Sequence, residues 1–524
     1  MEHFTYLIIG GGPAGLQMGY FLQKHGASYV ILERADKAGS FFTQYPRHRK
    51  LLSINKVYTG YTDIDSRLRY DWNSLLSDDE SLVFSNYSQH YFPDADDLQR
   101  YLDDYACRWH LPIRYNMTVT NIAKLGDHFV LTTTTGQVYT CERLIVATGL
   151  FTPIIPQIEG VELCDTYADC SLDPADFVDQ KIMIVGKGNS AFETAEHLHE
   201  VTRKIQICGP RYVKLAWTSH HVGDLRAVNN NFLDTYQLKG QNNILEGELQ
   251  RVRQRADGQL VAEVHFASRQ RSYDFLCDRI ILCTGFRFDA TLFHPSCRPI
   301  LSHRDKLPAL TSEWESVNVR DVYFIGTLMQ SRDFKKTMSG FIHGFRHNIE
   351  AFHQMLQCKY EGQRWRRVDE LPLEKSVIVN RILQRISTAP GLFLQPGFLC
   401  DVLVLPDDAG APVLYYQDMP RDYVQDHWYG QQHHYYVITL EYGDLAGHHD
   451  PFALPRGMGV SEDFYLHPIV RRYEADTLVD RFYLPDDLDN DWRQDEHAQA
   501  LQDYFAQQLV ACLSVHADPV ISLV

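Results

Sequence analysis

Two short runs in this chain, Gly10-Gly11-Gly12-Pro13-Ala14-Gly15 and Gly186-Lys187-Gly188-Asn189-Ser190-Ala191, have the residue types and spacing that let a backbone wrap a pyrophosphate. The leading glycines, Gly10 and Gly186, permit a tight turn after a strand. Gly12 and Gly188 admit a phosphate close to the backbone, and Gly15 and Ala191 let the next helix press on the sheet. The start of that helix, at Pro13 and Ala14 in one case and Asn189 and Ser190 in the other, presents N–H groups and a positive dipole end to an anion. Two dinucleotides are therefore expected, and with them redox chemistry. Around the first turn, residues 4–9 form an apolar strand and residues 29–32 a second one ending in Glu33, an acid placed to hold a ribose hydroxyl, with Arg34 beside it; this set predicts FAD. Around the second turn, residues 181–185 lead in and residues 204–208 follow. That strand ends without an acid and runs on to Arg211 and Lys214, cations suited to the 2′-phosphate of NADPH.

Such turns require an α/β fold with two Rossmann-like dinucleotide-binding domains. Between them lie a polar stretch with aromatics (38–110), an alternating β meander (117–139) and an apolar strand at 144–147 ending in Thr148-Gly149. Residues 279–285 and 322–326 read as late strands of the FAD sheet, with Thr284-Gly285 and Gly326 at their carboxyl ends, where open parallel sheets bind ligands. The expected organisation is an FAD domain in two parts, 1–170 and 276–355, interrupted by an NAD(P)H domain at 171–275. An α+β extension at 356–524 completes it. In that extension residues 363–386 and 497–512 read as helices and 413–416 and 435–442 as strands, with no catalytic signature.

Bulk properties exclude several function classes. A net charge of −17 lacks the basic surplus of a nucleic-acid binder. No apolar run approaches the roughly 20 residues of a membrane span. The first strand begins within four residues of the amino terminus, which leaves no room for a signal peptide, so a cytoplasmic protein is expected. Eleven cysteines include no C-x-x-C pair, which disfavours thioredoxin-type disulfide chemistry. The adjacent histidines His220-His221, His433-His434 and His448-His449 project in different directions, and no ligand lies at metal spacing, so no metal is expected. A small-molecule substrate and O2 are the expected partners, with a homodimer as a further possibility.

The paired turns, the Ala147-Thr148-Gly149 linker and the return at Cys283-Thr284-Gly285-Phe286 resemble class B flavoprotein monooxygenases. Residues 40–56, 188–196, 222–224, 233–239 and 340–346 are similar to a family of lumenal eukaryotic FAD-dependent oxidoreductases, and weaker similarity runs on through 441–443 and 466–468. The resemblance implies that Ser40, Phe41 and Tyr45 wrap the flavin. It also implies that Asn55 offers its side-chain amide to a C4a-hydroperoxide, with Lys56 adding positive charge, and that a helix beginning near Phe341 points at the flavin N1–C2 edge. The implied reaction is hydroxylation of a heteroatom, nitrogen above all, in a small polar amine or amino acid; the alternative is a reductase passing electrons to a disulfide, quinone or protein. Two departures stand against a full transfer. The oxygenase signature F-x-G-x-x-x-H is absent, Ile158-Glu159-Gly160 being followed by Tyr167 at about the place of the histidine, and the export and retention signals of the lumenal family are not expected here.

Overall fold

A computed structural model describes residues 2–234, 242–406, 410–431, 434–443 and 465–515. The chain forms two compact units. One comprises Met1–Val57, Trp72–Thr311 and Glu315–Lys336, and the other Tyr58–Asp71, Ser312–Trp314 and Thr337–Val524.

The first unit is built on two parallel sheets. Strand β1 (Glu2–Ile9) pairs with β2 (Tyr29–Leu32) and, on its other side, with β6 (Val138–Val146), both in parallel. All four residues of β2 and the last four of β1 are buried, as expected of parallel strands covered on both faces. Helix α1 (Pro13–His25) makes the crossover. Pro13 sits in its first turn, and Gly26, at φ 74°, closes it in the left-handed conformation. The sheet runs β3 (Ile113–Arg114), β2, β1, β6 and then divides. The first half of β6 pairs antiparallel with β5 (His128–Thr133), which pairs with β4 (Val119–Leu125), whereas Leu144, Ile145 and Val146 pair in parallel with the strand Val322–Phe324.

The second sheet has the order Asn243–Leu245, Lys204–Cys208, Lys181–Val185, Arg279–Leu282, Asp165–Thr166, all parallel. Alternation along its strands sorts side chains to two faces. Ile182, Ile184, Ile205 and Ile207 pack with Ala191, Phe192, Ala195 and Leu198 of the helix Asn189–Leu198. Met183, Val185 and Cys208 pack under an antiparallel meander of Glu248–Gln254, Leu260–Phe266 and Arg271–Cys277.

Of the two return strands expected in the FAD sheet, only Val322–Phe324 joins it. Arg279–Leu282 lies beside Lys181–Val185, because the meander ends directly before it and Asp278 fixes the register: its N–H donates to Lys181 O and its Oδ2 accepts from Lys181 N, both at 2.8 Å. The nicotinamide-type domain thus draws on strands on both sides of 171–275, and the expected boundary at 275 falls inside the strand Arg271–Cys277.

The second unit carries a six-stranded antiparallel sheet, in the order Val368–Leu371, Val413–Pro420, Leu399–Val404, His434–Glu441, His467–Glu474, Thr477–Tyr483. Residues of the helices Lys375–Thr388 and Asp495–Val515 share its core. The helix expected over 363–386 is a strand followed by a helix. Pro372, between Leu371 and the helix, cannot continue the 3.6-residue pattern inward, and Val368–Leu371 pairs instead with the strand Val413–Pro420. Among the described residues, no helix is long and apolar enough to cross a membrane.

Candidate functional site

Both glycine turns are shaped for a phosphate. Gly10 adopts φ 108°, and a Cβ there would lie 2.7 Å from Ala147 O; a Cβ on Gly186, at φ 134°, would lie 2.2 Å from Cys283 O. These close approaches bring the turns against the neighbouring strand ends, and only glycine fits. At Gly12 and Gly188, by contrast, a Cβ would meet nothing within 4 Å. Each is the N-cap of its helix, with no side-chain cap and no acidic residue in the first turn. Open space before an uncapped helix start, without local negative charge, suits a pyrophosphate. Pro13 and Ala14 open the first helix, and Gly326, at the end of Val322–Phe324, packs so closely that its own Cβ would lie 2.4 Å from Ala14 Cβ.

Glu33 is buried at the end of β2, and its carboxylate is tied to the first turn. It accepts from Gly11 N at 2.7 Å, from Ala35 N at 2.9 Å and from the Ser40 hydroxyl at 3.0 Å. Ser40 therefore braces the acid, and Arg34 stacks on Phe151 with its guanidinium carbon 3.6 Å from the ring centroid. The donor set fits FAD, for which the start of α1 would hold the pyrophosphate and Glu33 the ribose.

Thr148-Gly149 and Thr284-Gly285 head the two chain crossings between the nucleotide domains. The crossings pair as a ribbon, Thr152–Pro153 with Phe286–Arg287, with Ile154 N donating to Gly285 O at 2.9 Å and the Thr284 hydroxyl donating to Ile154 O. Beside it stands an aromatic group: Tyr45 lies 5.1 Å from Phe41, 5.4 Å from Phe286 and, stacked, 5.9 Å from Tyr167. A small pocket lined by Pro153, Tyr167, Ser190, Cys283, Thr284 and Phe286 opens here.

Tyr167, three residues beyond Cys164, which stands at the histidine's place counted from Gly160, joins the domains. Its hydroxyl donates to Glu193 on the helix Asn189–Leu198 and accepts from Arg47 N at 3.0 Å. The Arg47 guanidinium donates to Ala168 O and Cys170 O, and His48 lies against His197 with 4.3 Å between ring centroids. Burial pushes the Glu193 carboxyl up to about 7, against the Tyr167 hydrogen bond and the charge of Arg47. Burial, with His197 and Arg47 beside it, pulls the His48 imidazole down to about 3. Tyr167 was visible in the sequence after Ile158-Glu159-Gly160, but its contacts with Arg47 and Glu193 are remote along the chain and come only from the fold.

The remaining expected residues occupy varied settings. Asn55 is buried, and its amide nitrogen donates to Ser88 O at 2.7 Å and His90 O at 3.4 Å, so both amide protons are engaged. Lys56 is exposed. Asn189 ties its helix start to the 223–229 segment: Nδ2 donates to Asp224 O at 2.8 Å, and Oδ1 accepts from Arg226 N at 2.9 Å. Ser190 lines the pocket. Arg211 and Lys214 are exposed and form no ion pair among the described residues. Phe341 belongs to the second unit, where it is the N-cap of the helix Ile342–Glu361 and stacks at 5.9 Å on the buried His343. His433, His448 and His449 lie outside the described residues, as does most of 233–239. Among the described residues no three His, Cys, Asp or Glu side chains gather as a metal site.

Comparison with known proteins agrees with this fold. A family model described as pyridine nucleotide-disulphide oxidoreductase matches residues 7–326. FAD-dependent oxidoreductase domain-containing protein 2 of Mus musculus is 38% identical over 510 residues, spanning 90% of this chain and 76% of the mouse protein. Among solved structures, a flavin-containing monooxygenase from Stenotrophomonas maltophilia aligns with TM-score 0.53 at 20% identity, over 68% of this chain and 98% of that one. A bacillithiol disulfide reductase from Staphylococcus aureus aligns with TM-score 0.53 at 18% identity, over 69% and 100%. At such identities the likeness speaks for the fold alone.

Proposed function

The chain belongs to the pyridine nucleotide-disulphide oxidoreductase family as a flavin-dependent oxidoreductase, and from that premise we propose that it is an NADPH-using monooxygenase that hydroxylates nitrogen in a small polar amine or amino acid. The balanced reaction is amine, O2, NADPH and a proton giving hydroxylamine, water and NADP+. FAD, when bound, supplies the two-electron relay and the activation of oxygen. The protein's own residues do the rest. The start of α1 and Glu33 hold one nucleotide, and the turn at Gly186 and Gly188 holds the other. The ribbon of paired crossings sets the distance between them, with the ring group of Phe41, the buried Tyr45 and Phe286 packed beside it.

The observation that carries this reading is the lack, among the described residues, of a dithiol relay beside two open nucleotide turns. All ten described cysteines are free, and burial pushes the thiols of Cys208 and Cys277 up to about 12, so neither is a thiolate at neutral pH. Disulfide reduction needs such a thiolate. A second reading, a reductase that passes electrons to a quinone or protein without inserting oxygen, is favoured by the engaged amide protons of Asn55, which leave it no free donor for a peroxide. The two are separated by measuring NADPH and O2 consumption against hydroxylated product and released hydrogen peroxide over a panel of diamines and amino acids. Product matching NADPH for at least one amine supports oxygen insertion. Complete return of oxygen as hydrogen peroxide with every amine, together with fast quinone reduction, would overturn it.

A further inference from the structure

The two turns differ by one reciprocal exchange of residues. Ile9 pairs with Leu32 and Val185 with Cys208 at corresponding strand ends. Gly10 N donates to Leu32 O at 2.9 Å just as Gly186 N donates to Cys208 O at 2.8 Å. Position 11 therefore corresponds to 187, and position 33 to 209. In the first turn the middle residue is glycine and the following strand ends in a carboxylate, so that a Cβ on Gly11 would lie 3.1 Å from Glu33 Cβ. In the second turn the middle residue is Lys187, and the strand is followed by Gly209. The lysine stem lies over that glycine, its Cγ 3.3 Å from where a Cβ would stand.

The end of this stem is unmatched among the described residues. Lys187 Nζ is shut away from water and has no hydrogen-bond partner there. Burial lowers its pKa, and the groups facing it are Glu246, which raises it, and the Cys208 thiol. That thiol, pushed up to about 12, carries no charge at neutral pH. Glu246 is exposed and forms no ion pair with Lys187. An ammonium shut from water with no hydrogen-bond partner, and with only the exposed Glu246 as an opposite charge near it, gains from an anion that reaches it. The place it occupies is where an acid would hold the ribose 2′-hydroxyl of a dinucleotide lacking the extra phosphate.

Building on the proposed use of NADPH, we propose that Lys187, not Arg211 or Lys214, selects a dinucleotide bearing a 2′-phosphate. The exchange of Glu33 for Gly209 removes the group that would repel that phosphate, and the exchange of Gly11 for Lys187 supplies its counter-charge. Arg211 and Lys214, exposed to solvent, contribute a screened attraction only.

Titration calorimetry on the flavin-loaded protein tests this, with 2′,5′-ADP and 5′-ADP as probes. Wild type binds 2′,5′-ADP more tightly, and Lys187→Gln weakens 2′,5′-ADP by about 10- to 100-fold while changing 5′-ADP by less than about threefold. Lys187→Arg keeps the preference, which shows that a correctly folded turn carries it. The proposal falls if Lys187→Gln keeps the preference, whatever Arg211→Gln does, or if wild type binds the two probes equally. Binding of neither probe would overturn the assignment of the second turn as well, a separable result.

Discussion

Glu193→Gln should change how stability depends on pH. The Glu193 carboxyl is buried on the helix Asn189–Leu198, takes the Tyr167 hydroxyl proton in a hydrogen bond, and is raised from its ordinary 4.5 to about 7. A raised carboxyl binds its proton more tightly in the folded chain than in the unfolded one. Its contribution to stability is thus fully present below pH 4.5, is lost as the pH rises to 7, and stays lost above that. A move from 4.5 to about 7 corresponds to about 3 kcal/mol, or about 1.4 kcal/mol for each pH unit between these limits. Glutamine keeps an acceptor for Tyr167 and does not titrate. The variant should therefore gain on wild type steadily from pH 5 to 7 and hold a constant margin beyond. Thermal melting of both proteins at pH 5.5, 6.5, 7.5 and 8.5, with hydrogen exchange of the 189–198 peptide at the same values, reads this directly. Parallel wild-type and variant curves across that range would refute the reasoning, since every other titrating group is common to both.

Gly188→Val places a side chain in open space at an ordinary backbone conformation, so the protein should fold and keep its flavin while its affinity for NADP+ falls by at least about tenfold; unchanged affinity in calorimetry would remove the turn from the site. Asn55→Ala leaves the Ser88 and His90 carbonyls without their donor, at a cost of about 1–3 kcal/mol in chemical unfolding, and should raise hydrogen peroxide release per NADPH. An unaltered peroxide yield would confine Asn55 to holding the loop. In the second unit Arg385 donates to Asp401 at 2.7 Å and pairs with Asp418 at 2.9 Å, in a site where burial opposes ionisation but Arg385 and Arg367 hold the Asp418 carboxyl down to about 2. Arg385→Met should destabilise that unit by about 3–5 kcal/mol, seen as an earlier denaturant midpoint, because two buried carboxylates lose their shared cation.

The parts of the fold that could be read in advance are those where each residue's neighbours are close in sequence. Helix α1 starts where expected and the strands Tyr29–Leu32, Lys181–Val185 and Lys204–Cys208 have the expected limits, since doubly covered parallel strands are continuous apolar runs and glycine turns mark their ends. An apolar strand carries no mark of the sheet it will join, and so Arg279–Leu282 was legible as a strand but not as a neighbour of Lys181–Val185. The glycine turns and Glu33 were readable for the same local reason. Arg47 and Tyr167 meet across 120 positions, and Tyr167 and Glu193 across 26, so burial and partner had to come from the fold. Lys187 was visible within its motif, but its isolation from any counter-ion depends on where Gly209 and Cys208 lie.

The forked strand β6 sets an order of assembly. Both halves pair with β1 on one edge; on the other edge the first half meets the neighbouring hairpin, and the second half meets only Val322–Phe324, which leaves the ribosome after the whole second nucleotide domain. The edge beside Ala147, against which Gly10 turns, stays open through that interval. Nascent chains that stop short of residue 322 should be unable to retain a yellow cofactor, and the slowest step of maturation should be the late docking of that one strand.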